Sequence, residues 1–253
     1  MNFVLAIKIM SEQQVASFRA LSKGLALKYL LPVILMIVTN RIFAEEPVVE
    51  AALSSEGVYR GGSLSYEEPT ASLSIDYNYS DSLFGGIGLF RHQSGGLFDQ
   101  RGWQNVYAGF YSEFKNNWAT SFSVSAYQFD ADFEESKNYT EAQVDLHFRD
   151  AITISYAISD SYYGKNFKKE SFIVNWHSQL NQHWFLQAEL GENNVPDAIY
   201  QEDILFYSLS ATYNISRWSF QILKAYSQRN AERAIGDGNA GGRWILSLSY
   251  QLY

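Results

Sequence analysis

Glu141-Ala142-Gln143-Val144-Asp145-Leu146-His147-Phe148-Arg149-Asp150-Ala151-Ile152-Thr153-Ile154-Ser155-Tyr156-Ala157-Ile158 contains two alternating runs separated by the polar pair Arg149-Asp150. Successive side chains of an extended strand point to opposite faces. Ala142, Val144, Leu146 and Phe148 therefore share one face, and Glu141, Gln143, Asp145 and His147 share the other. Ile152, Ile154, Tyr156 and Ile158 oppose Thr153, Ser155 and Ser159 in the same way. Two such runs joined by a short polar break read as an antiparallel hairpin with one apolar face.

The same signature recurs on both sides of this hairpin, while the i, i+3, i+4 spacing of an amphipathic helix is almost absent after Ala51. Ala71, Leu73, Ile75 and Tyr77 oppose Ser72, Ser74, Asp76 and Asn78. Trp118, Phe122, Val124 and Ala126 oppose Ser121, Ser123, Ser125 and Tyr127. Trp244, Leu246, Leu248, Tyr250 and Leu252 oppose Ser247, Ser249 and Gln251. About twelve strands are predicted, starting near Ser54, Thr70, Leu83, Trp103, Trp118, Tyr139, Ala151, Ser171, Trp184, Ile204, Trp218 and Arg243.

Alternation alone suits a soluble sandwich as well as a membrane barrel. The links separate the two. Ser80-Asp81-Ser82, Lys115-Asn116-Asn117, Arg149-Asp150, Asn181-Gln182 and Ser216-Arg217 are tight, whereas 93–102, 130–137, 165–170, 193–203 and 229–242 are longer and polar. Short turns on one rim and long loops on the other are the asymmetry of outer-membrane barrels, and an even strand count puts both termini on the short-turn rim. Tryptophan adds an independent signal, because indole favours the membrane–water boundary. Trp103, Trp118, Trp176, Trp184, Trp218 and Trp244 all fall near strand ends and are assigned to aromatic girdles. The fold expected is all-β: a transmembrane, antiparallel, up-and-down barrel with short periplasmic turns and longer extracellular loops, in the bacterial outer membrane. Lys224 lies on the apolar phase of Trp218, Phe220, Ile222 and Tyr226, so either it snorkels to the rim or a bulge resets the phase.

Composition agrees with export. The 253 residues contain no Cys, which excludes disulfides and thiolate chemistry, and only 18% are charged while 16% are aromatic. Residues 1–44 carry Lys8, Arg19, Lys23, Lys28 and Arg41 against Glu12, then an apolar stretch from Tyr29 to Val38 and the small residue Ala44. That order is a signal peptide, and about ten apolar residues interrupted by Pro32 are too few to cross a bilayer as a helix. Met10 is an alternative start. Residues 45–253 form a single barrel domain, and the net charge of −8 becomes about −12 once the leader is removed. So acidic a chain excludes a nucleic-acid partner, which needs clustered bases.

Gly57-Val58-Tyr59-Arg60-Gly61, Asn138-Tyr139-Thr140-Glu141, Ser159-Asp160-Ser161-Tyr162-Tyr163-Gly164 and the run Arg243 to Ser249 resemble, in order and spacing, the TorF-like porin family of proteobacterial outer-membrane proteins. The resemblance covers nearly all of the barrel domain and implies a porin-like barrel without naming a solute. Gly62-Ser63-Leu64 departs from the Ile-Ser-Gln usual in that family, and Leu252 rather than a final aromatic holds the terminal phase.

Enzyme chemistry has one candidate. Arg91-His92-Gln93-Ser94 with Trp103-Gln104-Asn105 is similar to the His-x-Ser and Trp-Asn elements of outer-membrane phospholipase A, which implies His92 as base, Ser94 as nucleophile and Asn105 as its orienting partner. His92, His147, His177 and His183 are too scattered for a metal site; only His147 has same-face carboxylates nearby, Asp145 and Glu141. No cofactor, metal or catalytic residue is assigned.

The inward phase places Glu56, Arg60, Asp76, Glu113, Glu141, Asp145, Glu189 and Arg243 along the lumen, six acids to two bases. Carboxylates in a narrow bore concentrate cations and repel anions. The expected function is a porin-like channel for passive diffusion or uptake of small cationic or neutral polar solutes. The partners expected are outer-membrane lipid, those solutes and the outer-membrane assembly machinery. Two alternatives stay open: a phospholipase-like hydrolase using His92, Ser94 and Asn105, and a closed structural or adhesive barrel whose interior charges merely pair.

Overall fold

The computed structural model describes residues 46–65, 67–93, 100–114, 117–129, 138–159, 168–194, 204–228 and 241–252. The leader expected at 1–44, Ser94, Tyr253 and most of the long loops lie outside the described residues.

Twelve strands close into one antiparallel barrel: β1 (Val48–Ser54), β4 (Thr70–Asn78), β5 (Leu83–Gln93), β6 (Gln100–Glu113), β7 (Trp118–Phe129), β8 (Tyr139–Phe148), β9 (Ile152–Ser159), β10 (Lys169–Gln179), β11 (Trp184–Asn194), β12 (Ile204–Ile215), β13 (Trp218–Ser227) and β14 (Gly241–Gln251). Each pairs with its sequence neighbours, and β1 closes the ring by pairing with both β4 and β14. Closure leaves no unpaired strand edge, which is what hydrocarbon demands of a spanning sheet. Two short strands, β2 (Val58–Tyr59) and β3 (Gly62–Ser63), form a separate hairpin that is not part of the wall.

The register makes the two faces continuous around the ring. Leu73 lies opposite Leu89, Phe122 opposite Val144, Leu190 opposite Tyr207 and Phe220 opposite Leu248, all outward. Large outward side chains stay open: Leu209 is 58% exposed and Leu246 60%. Leaving a Leu or Phe in water forgoes about 1.5–3 kcal/mol of burial, so this band is built for acyl chains rather than solvent. Lys224 keeps the outward phase, in register with Leu209 and Trp244 and with no bulge, and its Nζ lies 4.9 Å from the Trp244 ring centroid. The ammonium thus rests on an aromatic rim residue.

Short turns join the strands at one rim. In Arg149-Asp150 both φ angles are positive, 53° and 50°, and Ala151 N–H donates to the Phe148 carbonyl, the type I′ geometry that matches the twist of flanking strands. Trp118 packs on Phe148, Trp184 on Tyr213 and Trp218 on Tyr250, with ring centroids 4.6, 5.1 and 4.6 Å apart. Together with Trp176 they form an outward aromatic belt at this rim.

Most predicted strand starts coincide with the observed ones or differ by one to three residues. The first does not: Ser54 ends β1 instead of opening it. Ser55 N–H still bonds the Leu246 carbonyl, after which the chain leaves the wall and returns only at Thr70. The segment between folds into the bore. At its tip Arg60 (φ 48°) and Gly61 (φ 75°) are both left-handed and close a two-residue turn between Tyr59 and Gly62. A Cβ on Gly61 would collide with Phe206 on the far wall and sit 3.2 Å from Ser227 Cβ. Gly61→Ala is therefore expected to weaken docking of the hairpin by at least the 1–2 kcal/mol of a left-handed alanine. The loss is to be read as a lower midpoint of denaturation in micelles.

Candidate functional site

The inner hairpin crosses the bore at the long-loop rim. Its roots are β1 and β4, yet its tip touches β8, β10, β11 and β12 on the opposite side. Arg60 carries this docking. Its Nη1 donates to Glu141 Oε2 at 2.6 Å and its Nη2 to Glu141 Oε1 at 2.8 Å, a two-pronged pair, with further bonds to Gln143 Oε1 (3.0 Å) and Ser171 Oγ (3.3 Å). Ser171 in turn donates to Asn193 Oδ1 at 2.7 Å, and Asn193 Nδ2 donates to the Arg60 carbonyl at 3.4 Å. Both members of the ion pair are buried, Arg60 7% and Glu141 4% exposed. Charge removed from water this far needs such a saturated shell of bonds.

Tyr59 anchors the side facing β7. Its hydroxyl lies 3.1 Å from that of Tyr127 and 3.3 Å from Glu141 Oε1, and its ring packs near Tyr127, which stacks on Tyr139 with centroids 4.6 Å apart. Two cations flank the Tyr59 ring, Arg60 at 4.8 Å and Lys169 at 6.0 Å. A second ion pair ties the root of the segment to the wall, Arg243 Nη1 to Glu56 Oε1 at 2.6 Å.

Of the remaining residues assigned to the lumen, Asp145 joins this cluster through Gln143, and the others lie apart from it. Asp145 accepts from Ser121 Oγ and Gln143 Nε2, each at 2.8 Å. Asp76 accepts from the Tyr107 hydroxyl. Glu113 has the inward phase but ends β6 at the short-turn rim, where it is exposed. Glu189 lines a cavity of about 340 Å³ beneath the hairpin, shared with Asn175, Gln187, Ser208 and Ser210. Three charged residues of inward phase were missed: Arg101, in register with His92, and two more. Glu50 lies on the inward phase of β1, and Lys169 opens β10 two residues before the predicted start, Ser171. The continuing parity of Ser171 and Ile173 was the signal for Lys169.

Trp103 corrects the girdle assignment. It is the inward partner of Phe90, stacked at 3.7 Å, and packs against the Tyr127–Tyr139 cluster. The reason is phase: Trp103 shares parity with Asn105, Tyr107 and Glu113, so an inward Glu113 requires an inward Trp103. The other five tryptophans face outward.

The hydrolase constellation does not assemble. His92 and Asn105 both have the inward phase, but Asn105 is in register with Gly88, four residues along β5 from His92 and so about 13 Å away. Ser94 lies outside the described residues. Among the described residues no three His, Asp or Glu side chains gather into a potential metal site.

No protein-family model and no curated protein matches the chain by sequence. Solved structures do resemble it. A KdgM porin superposes with a TM-score of 0.53 at 8% identity, over 82% of this chain and 100% of that one. A KdgM porin in complex with disordered oligogalacturonate gives 0.54 at 8% identity over the same shares. At such identity the likeness is one of fold, and it agrees with the wall described above: the chain is a closed twelve-stranded barrel of the outer-membrane type.

Proposed function

We propose that this barrel is an outer-membrane channel for passive diffusion or uptake of small polar solutes, with preference for cations and neutral molecules. One observation carries the reading. Below the hairpin, every inward-facing residue of the described strands that bears a formal charge is an acid: Glu50, Asp76, Glu113, Asp145 and Glu189. Arg60 and Arg243, the inward arginines whose side chains are described, sit at the hairpin, each bonded to a carboxylate. Lys169 also lies at the level of the hairpin, beside the Tyr59 ring, so the bore below the hairpin is lined by negative charge, which raises the local cation concentration and excludes anions. The fold shared with porins and the resemblance of Tyr59-Arg60-Gly61 and the later motifs to the TorF-like porin family support the same reading. In it, residues 1–44 direct export, the assembly machinery inserts the barrel, and lipid surrounds it.

Purified protein in a planar bilayer under a KCl gradient tests the proposal. The expected reversal potential has the sign of K+ preference, and liposomes carrying the protein swell in neutral sugars. Absence of any conductance, or preference for Cl−, would overturn it.

A further inference from the structure

The lumen shows two kinds of polar side chain. Near the hairpin they bond to one another, as in the Arg60, Glu141, Gln143 and Asp145 chain. Deeper on β10, β11 and β12, five of them do not. Asn175, Glu189 and Ser208 lie side by side in register, with Gln187 and Ser210 in the next row. All five line the 340 Å³ cavity, and none has a hydrogen bond or ion pair to another described side chain. Arg60 also lines the cavity, and its guanidinium is already bonded to Glu141, Gln143 and Ser171. Polar side chains that are not engaged with one another and that converge on one cavity around a single carboxylate form a surface suited to a polar ligand.

From this surface we infer that the cavity is a binding subsite for a small hydroxylated organic monocation of amino-sugar size. One carboxylate calls for one positive charge, and an ammonium donating to Glu189 supplies it. A divalent metal ion would need several oxygen ligands of higher charge. Carboxamides and hydroxyls each donate and accept, the pattern that matches sugar hydroxyls. Ile173 and Leu223 on the same cavity wall offer an apolar patch for the C–H face of a ring. The inference deepens the channel reading and rests on it for its meaning, as a station on the permeation route; its test does not require conduction.

Calorimetric titration of the folded, detergent-solubilised protein uses glucosamine, glucose and methylammonium as probes, with heat-modifiable gel mobility as the check on folding. Glucosamine is expected to bind at least tenfold more tightly than either of the others. Glu189→Gln is expected to bring it down to the level of glucose, and Gln187→Ala to weaken both sugars. Equal binding of glucosamine and glucose by the unaltered protein overturns the subsite. So does a folded Glu189→Gln protein that binds glucosamine unchanged, or methylammonium binding as tightly as glucosamine. A protein that binds as expected yet carries no current in the bilayer overturns the channel reading and leaves the subsite standing.

Discussion

A barrel from which residues 57–64 are removed, with Glu56 joined to Ser65 through two glycines, is expected to carry several times the current of the intact protein while keeping K+ preference. The wall does not depend on the excised piece. Ser54 and Thr70 are cross-strand partners at the end of an unbroken β1–β4 ladder, so a short loop spans the gap. What the deletion removes is material crossing the bore: the Tyr59 ring among the aromatic side chains of β7 and β8, and the Arg60–Gly61 tip against Phe206, which is fully buried beneath it. The acids that set selectivity lie on other elements and remain. Current recorded from single channels on either side of the deletion gives the answer. An unchanged conductance would mean that the hairpin is not the constriction, and a switch to Cl− would mean that the carboxylates of the wall do not set the sign.

That a segment enters the bore was not legible in the sequence, although almost all of the wall was. Where a strand separates lipid from water, its two faces differ in chemistry and period two is plain, as from Trp118 to Tyr127 or from Leu205 to Asn214. Lys224 was left open between an outward side chain and a bulge, and the unbroken register with Leu209 and Trp244 decides for the outward one. Residues 55–69 have no such contrast. They face protein on several sides, and the Gly-rich tip suits a left-handed turn as readily as the start of a strand. Arg60 and Glu141 are 81 positions apart, and period two assigns a face without a partner. Trp103 failed differently: its strand has aromatic residues on both faces, Tyr107 and Tyr111 inward and Phe110 outward, so girdle preference and phase disagreed. Phase was the better guide, because the pleat is rigid while an indole is content in a lumen wall that offers Phe90 to stack on. The cavity residues were half legible. Glu189 stood out as an inward acid, but its unbonded state depends on the neighbours that the register brings to it from β10 and β12.

Removing one member of the buried ion pair should have the largest effect of any single substitution. Arg60→Met leaves the Glu141 carboxylate 4% exposed and without its two-pronged donor, a change that costs about 3–5 kcal/mol where a buried pair loses one partner. The barrel ladder makes no use of Arg60, so the penalty is avoided by undocking the hairpin, which returns Glu141 to water. Arg60→Met is therefore expected to conduct like the deletion and to expose residues 57–64 to protease, while the wall keeps its heat-modifiable mobility. Methionine at this position keeps the same left-handed backbone, so the comparison isolates the charge. Adding Glu141→Leu removes the stranded carboxylate and replaces the pair by apolar side chains, an exchange that is often neutral or stabilising. The double variant should regain protease resistance and the lower current, provided that Phe206 and the Tyr127–Tyr139 stack still receive the tip. Arg60→Lys separates charge from geometry. An ammonium cannot make both bonds to Glu141 and also reach Gln143 and Ser171, so an intermediate current is expected. If Arg60→Met stays protected and conducts as the intact protein does, packing against Phe206 holds the hairpin and the ion pair does not.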